Sequence, residues 1–104
     1  MEMNMGSTPE NDIACFHAVI DGQVQGVGFR FFVMELAETC GITGWVRNRY
    51  DGTVEVMAEG RRAVLESFLN QLRRGPRGAY ITNVDTDWPP AGNKFVQFEI
   101  RRTG

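Results

Sequence analysis

The feature that most constrains the fold is an abrupt change of hydrophobic period across a short glycine-containing segment, GQVQGVGFR at residues 22–30. Before this segment, residues 14–21 alternate between apolar and polar faces, as a half-buried β-strand does. After it, apolar residues recur at helical spacing from Phe29 to Cys40, and Gly41 is placed to end the helix. The sequence therefore predicts a strand that passes directly into a helix.

Five further elements follow in the order strand, strand, helix, strand, strand, at residues 43–49, 53–59, 61–74, 79–87 and 95–101. The pair Asp51-Gly52 favours a tight hairpin between the second and third strands. This order predicts an α+β fold of the ferredoxin-like, split βαβ type (βαββαβ), with two helices on one face of an antiparallel four- to five-stranded sheet. A right-handed crossover makes strands one and two parallel, with strand three between them.

Length and charge exclude several classes of function. The chain has 104 residues, enough for one hydrophobic core, and its net charge of −2 gives no general attraction to nucleic acid or anionic lipid. No apolar run approaches the roughly 18–20 residues of a membrane span, and the N-terminus lacks the features of a secretory signal. We expect a cytoplasmic monomer with no nucleic-acid or membrane partner, a flexible tail over residues 1–12 and a folded domain over residues 13–104.

Several chemistry-bearing side chains receive structural interpretations. Cys15 and Cys40 are interpreted as small buried hydrophobes in a reducing compartment, with a disulfide between them as the alternative. His17 is the only histidine, and its parity places it on the surface of a strand. Because the sequence contains no HExxH, CxxC or His/Cys cluster, we predict no metal site. Glu55 and Glu59 share a strand face and are interpreted as solvated.

Residues 24–30 have the features of an anion-binding loop. Gly26 and Gly28 permit positive φ angles and a close approach of the backbone to a ligand, so that successive N–H groups can surround an anion. The start of the following helix adds free N–H donors and a favourable dipole. Arg30 adds a positive charge that is mildly unfavourable at this end of a helix unless an anion joins it. We therefore favour an oxyanion site over a merely glycine-containing turn.

Asn48 is expected at the same edge of the sheet as this loop. It shares parity with Val46 and Gly44, so it should face the helices, two strand spacings, roughly 10 Å, from the loop. A carboxamide at this position can hold a water molecule; the alternative is a turn-favouring Asn at a strand end. Arg47 and Arg49 point to the other face and are interpreted as solvent-exposed.

These residues resemble the acylphosphatase family. The likeness is carried by GQVQGVGFR at 22–30 and GWVRN at 44–48, and it extends over about residues 14–102. It implies the same fold, and hydrolysis of the carboxyl–phosphate anhydride of acyl phosphates to a carboxylate and inorganic phosphate. It implies no metal ion, no cofactor and no phosphoenzyme. Which acyl phosphate is the physiological substrate is left open.

The resemblance also implies the roles of individual residues. Arg30 and Asn48 are the implied catalytic pair: Arg30 and the loop amides hold the phosphate, and Asn48 orients the attacking water. Inorganic phosphate, the product, is expected to inhibit competitively. The implied substrate-binding residues are those of the loop and the start of the helix: Gln25, Gly26, Val27, Gly28, Phe29 and Arg30.

Three alternatives compete with this interpretation. Residues 25–32 superficially resemble the aromatic motif of RNA-recognition domains. That motif must lie on an inner strand of the sheet, whereas these residues lead into a helix. Acylphosphatase-like domains also occur within larger maturation proteins that handle carbamoyl phosphate, and the single-domain length argues against this. A regulatory, ligand-sensing domain of the same fold is disfavoured by the presence of both Arg30 and Asn48.

Overall fold

The computed structural model describes residues 12–104, which form one five-stranded sheet and two helices. The elements in chain order are β1 (Ile13–Gln23), α1 (Phe29–Cys40), β2 (Thr43–Asn48), β3 (Val54–Arg61), α2 (Arg62–Arg74), β4 (Tyr80–Asp87) and β5 (Phe98–Ile100). The predicted ferredoxin-like α+β fold is confirmed. The predicted tail, residues 1–12, lies outside the described residues except for Asp12.

The strands are ordered β4-β1-β3-β2-β5. Strand β3 pairs antiparallel with both β1 and β2, so the prediction that β1 and β2 are parallel with β3 between them is confirmed. Strand β4 is also antiparallel to β1, whereas β5 pairs parallel with β2. The sheet is therefore mixed rather than wholly antiparallel, because the chain after β4 crosses to the opposite edge before β5 begins.

The core lies between the sheet and the two helices. Strand β1 places Phe16, Ala18 and Ile20 on the helix side, and all three are fully buried. Phe29, at the start of α1, is 1% exposed and packs edge-on against Phe32 with ring centroids 5.9 Å apart. Phe29 and Phe32 thus pack in or against the core, and Phe31, which is 63% exposed, lies on α1. None of the three lies on the open face of the sheet, where the RNA-binding alternative requires its aromatic residues.

The segment between β4 and β5 crosses the sheet face that the helices leave open. The carboxylate of Glu59 accepts hydrogen bonds from the amides of Gly92 and Asn93 at 2.8 Å and of Lys94 at 3.2 Å. Glu59 is only 4% exposed, so its interpretation as a solvated side chain is wrong. Its burial is explained by the crossing segment, whose unpaired amides the carboxylate satisfies.

Glu55 is also buried, at 9% exposure, and the same interpretation is wrong for it. Its carboxylate lies 2.6 Å from Nε2 of His17 and accepts a hydrogen bond of 2.8 Å from Nε of Arg47. Nδ1 of His17 lies 3.3 Å from the carboxylate of Asp87. These side chains, one from each of four neighbouring strands, form a continuous polar row across the open face.

Cys15 and Cys40 are both free thiols; Cys15 is buried and Cys40 is partly buried. The Sγ atom of Cys15 lies 3.6 Å from Sδ of Met57, and burial raises the pKa of this thiol.

Neither α1 nor α2 is long and apolar enough to cross a membrane, and no other helix occurs in residues 12–104.

Candidate anion-binding site

Strands β1 and β2 deliver the predicted site residues to one edge of the sheet. Asn48, the last residue of β2, is directly opposite Val54, and Val54 is opposite Ile20 of β1. Directly paired residues project from the same face, and Val54 and Ile20 are fully buried beneath the helices. The side chain of Asn48 therefore starts from the helix-covered face, two strand spacings, roughly 10 Å, from β1.

The loop between β1 and α1 has the backbone geometry that an anion-binding loop requires. Gly26 and Gly28 have φ angles of 76° and 75°, in the left-handed region that residues with a Cβ rarely adopt. A Cβ placed on either glycine would meet no atom within 4 Å, so conformation rather than space requires glycine here. Gly28 is the residue from which α1 begins, and no side chain caps this helix end.

Backbone N–H groups of this loop and of the first turn of α1 have no acceptor within the described part of the chain. The first backbone bond of α1 runs from the Phe32 amide to the Gly28 carbonyl at 3.0 Å, so the amides of residues 29–31 have no acceptor within the helix. Among residues 12–104, the amides of residues 25–28 also have no protein acceptor. This concentration of free donors at the positive end of a helix dipole favours an anion.

Arg30 lies within the first turn of α1 and is half-buried. It has no carboxylate partner among residues 12–104, and α1 has no acidic residue in its first turn. By contrast, Arg47 is paired with Glu55 at 2.8 Å, and Arg49 lies 3.8 Å from the carboxylate of Asp51. Of these three arginines, Arg30 is the one without a carboxylate partner within the part of the chain that the structure describes.

The Oδ1 atom of Asn48 is buried and has no hydrogen-bond partner among the described residues. A buried acceptor without a partner costs about 1–3 kcal/mol, and such atoms are uncommon in folded proteins. The unpaired atom belongs to Asn48, the residue that is predicted from the sequence to hold water. This oxygen is therefore free of protein partners among residues 12–104 and can accept a hydrogen bond from a water molecule or a ligand.

Gln25 joins the loop to the hairpin that follows Asn48. Its Nε2 atom donates to the carbonyl oxygens of Arg49, at 2.8 Å, and of Thr53, at 2.9 Å. The sequence places Gln25 in the loop but does not indicate these bonds. No local pattern could reveal them, because the partners are 24 and 28 residues away along the chain. No hydrogen bond between described residues joins Arg30 to Asn48 directly, so Gln25 provides the link between their elements.

The hairpin that receives Gln25 is itself held by local bonds. The Arg49 amide donates to the Thr53 carbonyl at 2.9 Å, and the Asp51 carboxylate accepts from the Thr53 amide at 3.0 Å and hydroxyl at 2.6 Å. These bonds from Thr53 lower the pKa of Asp51. The tight turn predicted at Asp51-Gly52 is confirmed.

Residues 12–104 contain no group of three or more His, Cys, Asp or Glu side chains that could hold a metal ion.

Comparison with known proteins gives consistent matches. A sequence model of the acylphosphatase family matches residues 16–100. The chain is 47% identical over 85 residues to an acylphosphatase of Salinibacter ruber, a match that covers 82% of this chain and 90% of that protein. The crystal structure of acylphosphatase from Bacillus subtilis aligns with a TM-score of 0.82 at 35% identity, over 85% of this chain and 98% of that one.

A larger protein also contains this fold. Full-length HypF, in its phosphate- and nucleotide-bound form, aligns with a TM-score of 0.81 at 25% identity. The alignment covers 89% of this chain but only 12% of HypF. The similarity therefore concerns one small part of HypF, whereas the alignments to the relatives from Salinibacter and Bacillus span nearly their whole length.

Proposed function

The chain belongs to the acylphosphatase family, and on this premise we propose that it hydrolyses acyl phosphates at the edge formed by the β1–α1 loop and Asn48. The observation that carries the proposal is the unpaired, buried Oδ1 atom of Asn48 on a hairpin that Gln25 ties to a loop with free amides. A tetrahedral dianion held by that loop would bring an attacking water within reach of this atom. Other tetrahedral oxyanions such as sulfate would fit these donors equally well. The proposed reaction is therefore inferred from the family to which the chain belongs.

The proposed reaction is a direct transfer of the phosphoryl group to water. The water oxygen forms a bond to phosphorus while the bond between phosphorus and the acyl oxygen breaks, and its electron pair remains on the carboxylate. A proton of the water passes to a phosphate oxygen. The products are one carboxylate and one dihydrogen phosphate, which together carry the two negative charges of the substrate. No covalent intermediate with the protein is formed.

Different residues bind the phosphate and position the water in this proposal. The amides of residues 25–31 and the guanidinium of Arg30 bind the phosphate oxygens, and Arg30 supplies the charge that stabilises the transition state. Asn48 accepts a hydrogen bond from the water through Oδ1 and so directs a lone pair of the water toward phosphorus. Because an acyl phosphate has a stable leaving group, positioning and electrostatics suffice without a strong general base.

The proposal uses no metal ion, because positive charge and oriented dipoles are supplied by Arg30 and the loop amides. It extends to inorganic phosphate as a competitive inhibitor, since the same donors would hold the product. We further propose that the protein is a monomer that acts in the cytoplasm, because this reducing compartment would keep the thiols of Cys15 and Cys40 reduced. Acetyl phosphate, carbamoyl phosphate and 1,3-bisphosphoglycerate all present the same acyl-linked phosphate, so all three are candidate substrates.

A phosphate-release assay with benzoyl phosphate in the presence of EDTA tests the proposal. We expect turnover that EDTA does not reduce and that inorganic phosphate inhibits competitively. Arg30→Ala and Asn48→Ala serve as negative variants, and Arg61→Gln, an exposed substitution at the end of β3, is the matched control. An inactive wild-type chain, or activity that appears only when a divalent cation is added, would refute the proposal.

A further inference from the structure

The position of Asn48 determines the side of the phosphate from which the acyl group must leave. This step rests on the proposed function. In phosphoryl transfer the attacking and leaving oxygens lie roughly in line through phosphorus. If Asn48 holds water on the β2 side of the phosphate, the acyl oxygen departs on the opposite side, toward β4, because β4 lies beyond β1 in the sheet. The segment that joins α2 to β4 lies on this side of the loop, because it leads into the first residue of β4.

Residues 75–79, the segment between α2 and β4, lie beside the loop that would hold the phosphate. Gln23, just before that loop, pairs with Tyr80, the first residue of β4, so the two segments leave the sheet one strand spacing, about 5 Å, apart. A Cβ placed on Gly75 would lie 3.3 Å from Cε2 of Phe29, so the segment also packs against the residue before Arg30. Arg77 is the cation carried by this segment.

A tight turn fixes where Arg77 lies. The Ala79 amide donates to the Pro76 carbonyl at 3.1 Å, which closes a four-residue turn. Gly78, the third residue of the turn, has a φ of 94°, as a type II turn requires at that position. Arg77 thus occupies the exposed tip, and it has no hydrogen-bond or ion-pair partner among residues 12–104. Residues 75–80, GPRGAY, contain no carboxylate that could neutralise it.

We propose that Arg77 stabilises the carboxylate as it leaves. When the bond between phosphorus and the acyl oxygen breaks, its electron pair becomes the negative charge of the carboxylate. The planar guanidinium matches a carboxylate through two parallel N–H donors. This role is separate from that of Arg30, which acts on the phosphoryl oxygens. Arg77 contacts the part of the substrate that changes charge at the other end of the breaking bond.

A series of ring-substituted benzoyl phosphates tests this role, because the substituents change the pKa of the leaving acid while the phosphate stays the same. For Arg77→Gln, a plot of log(kcat/KM) against the pKa of the acid should become steeper. The loss should be about two- to fivefold for the poorest leaving group, the size of an exposed charge contact, and should shrink toward the best. The inhibition constant of inorganic phosphate should not change. Arg77→Lys should recover only part of the loss, because it keeps the positive charge but lacks the two parallel donors. Arg61→Gln should behave as the wild type.

An unchanged slope for Arg77→Gln would overturn the proposal, whether or not the line is displaced, because a general electrostatic or structural effect lowers all substrates equally. A loss that Arg61→Gln reproduces would also overturn it. These outcomes are distinct from failure of the proposed function, which would appear as a wild-type chain that releases no phosphate from any member of the series.

Discussion

Gln25 is hydrogen-bonded to Arg49 through a side-chain donor and a backbone acceptor separated by 2.8 Å. The same nitrogen also reaches the carbonyl of Thr53 at 2.9 Å. Because Arg49 directly follows Asn48, the bond holds the residue proposed to position water at a fixed place relative to the loop proposed to hold phosphate. Catalysis by positioning depends on such distances, since a displacement of about 1 Å can cost about 10²-fold in rate.

Gln25→Ala is predicted to reduce kcat by about 10- to 100-fold because the loop and the hairpin lose their link. The inhibition constant of inorganic phosphate should change much less, since the loop amides and Arg30 remain. Steady-state kinetics with benzoyl phosphate measure both quantities. Gln23→Ala, an exposed glutamine two residues earlier, is the matched control. Equal effects of the two variants would show that the bonds from Gln25 do not matter for turnover.

Asn48→Ala is predicted to lose about 10²–10³-fold in turnover, the usual cost of removing one positioned polar group. The variant should be no less stable than the wild type, because the substitution removes a buried acceptor that has no partner among residues 12–104. Thermal unfolding and phosphate-release assays on the same sample measure the two effects. Lost turnover together with a large fall in the melting temperature would instead assign Asn48 a structural role.

Arg30→Gln is predicted to weaken both turnover and phosphate binding. Hydrogen bonds to charged groups contribute about 1.5–3 kcal/mol, so the inhibition constant of inorganic phosphate should rise by about 10- to 100-fold. Isothermal titration with phosphate, or competition kinetics, measures this change. Arg61→Gln should leave the constant unaltered. A variant that binds phosphate as tightly as the wild type would show that the anion is held elsewhere.

The elements that could be predicted from sequence are those whose cause is local. The helical spacing of apolar residues from Phe29 onward predicts α1, and the pair Asp51-Gly52 predicts the hairpin. The alternation of side chains between the two faces of β2 is enough to place Asn48 on the helix-covered face. The burial of Glu55 and Glu59 could not be predicted, because their partners come from other strands and from the segment at residues 92–94. For the same reason the sequence did not indicate that the β5 pairing is parallel.

Glu55 should make the stability of the fold depend on pH. Burial alone raises its pKa, but hydrogen bonds from His17 and Arg47 outweigh this effect and hold the pKa below the ordinary value of 4.5. A carboxyl whose pKa is lower in the folded state stabilises the fold above its unfolded pKa, and this contribution is lost as the pH falls through the folded value. Glu55→Gln should therefore lower the free energy of unfolding at neutral pH, and the difference should shrink as the pH falls below 4.5.

Urea unfolding of the wild type and Glu55→Gln across this range of pH measures the difference. Glu66→Gln is a suitable control, because the Glu66 side chain is 55% exposed and its pair with Arg62 at 3.2 Å lies on the helix surface. A difference between wild type and Glu55→Gln that stays constant down to strongly acidic pH would mean that the charge of Glu55 is not what stabilises the row of polar side chains.

The most direct test of the central claim is a titration of the ¹⁵N-labelled protein with inorganic phosphate, followed by NMR. The account predicts saturable shifts concentrated on the backbone amides of residues 25–31, the side chain of Arg30 and the carboxamide of Asn48, with the amides of α2 nearly unchanged. Saturable shifts centred elsewhere on the protein, or binding that leaves both Arg30 and Asn48 unperturbed, would contradict the claim that these groups converge on one oxyanion.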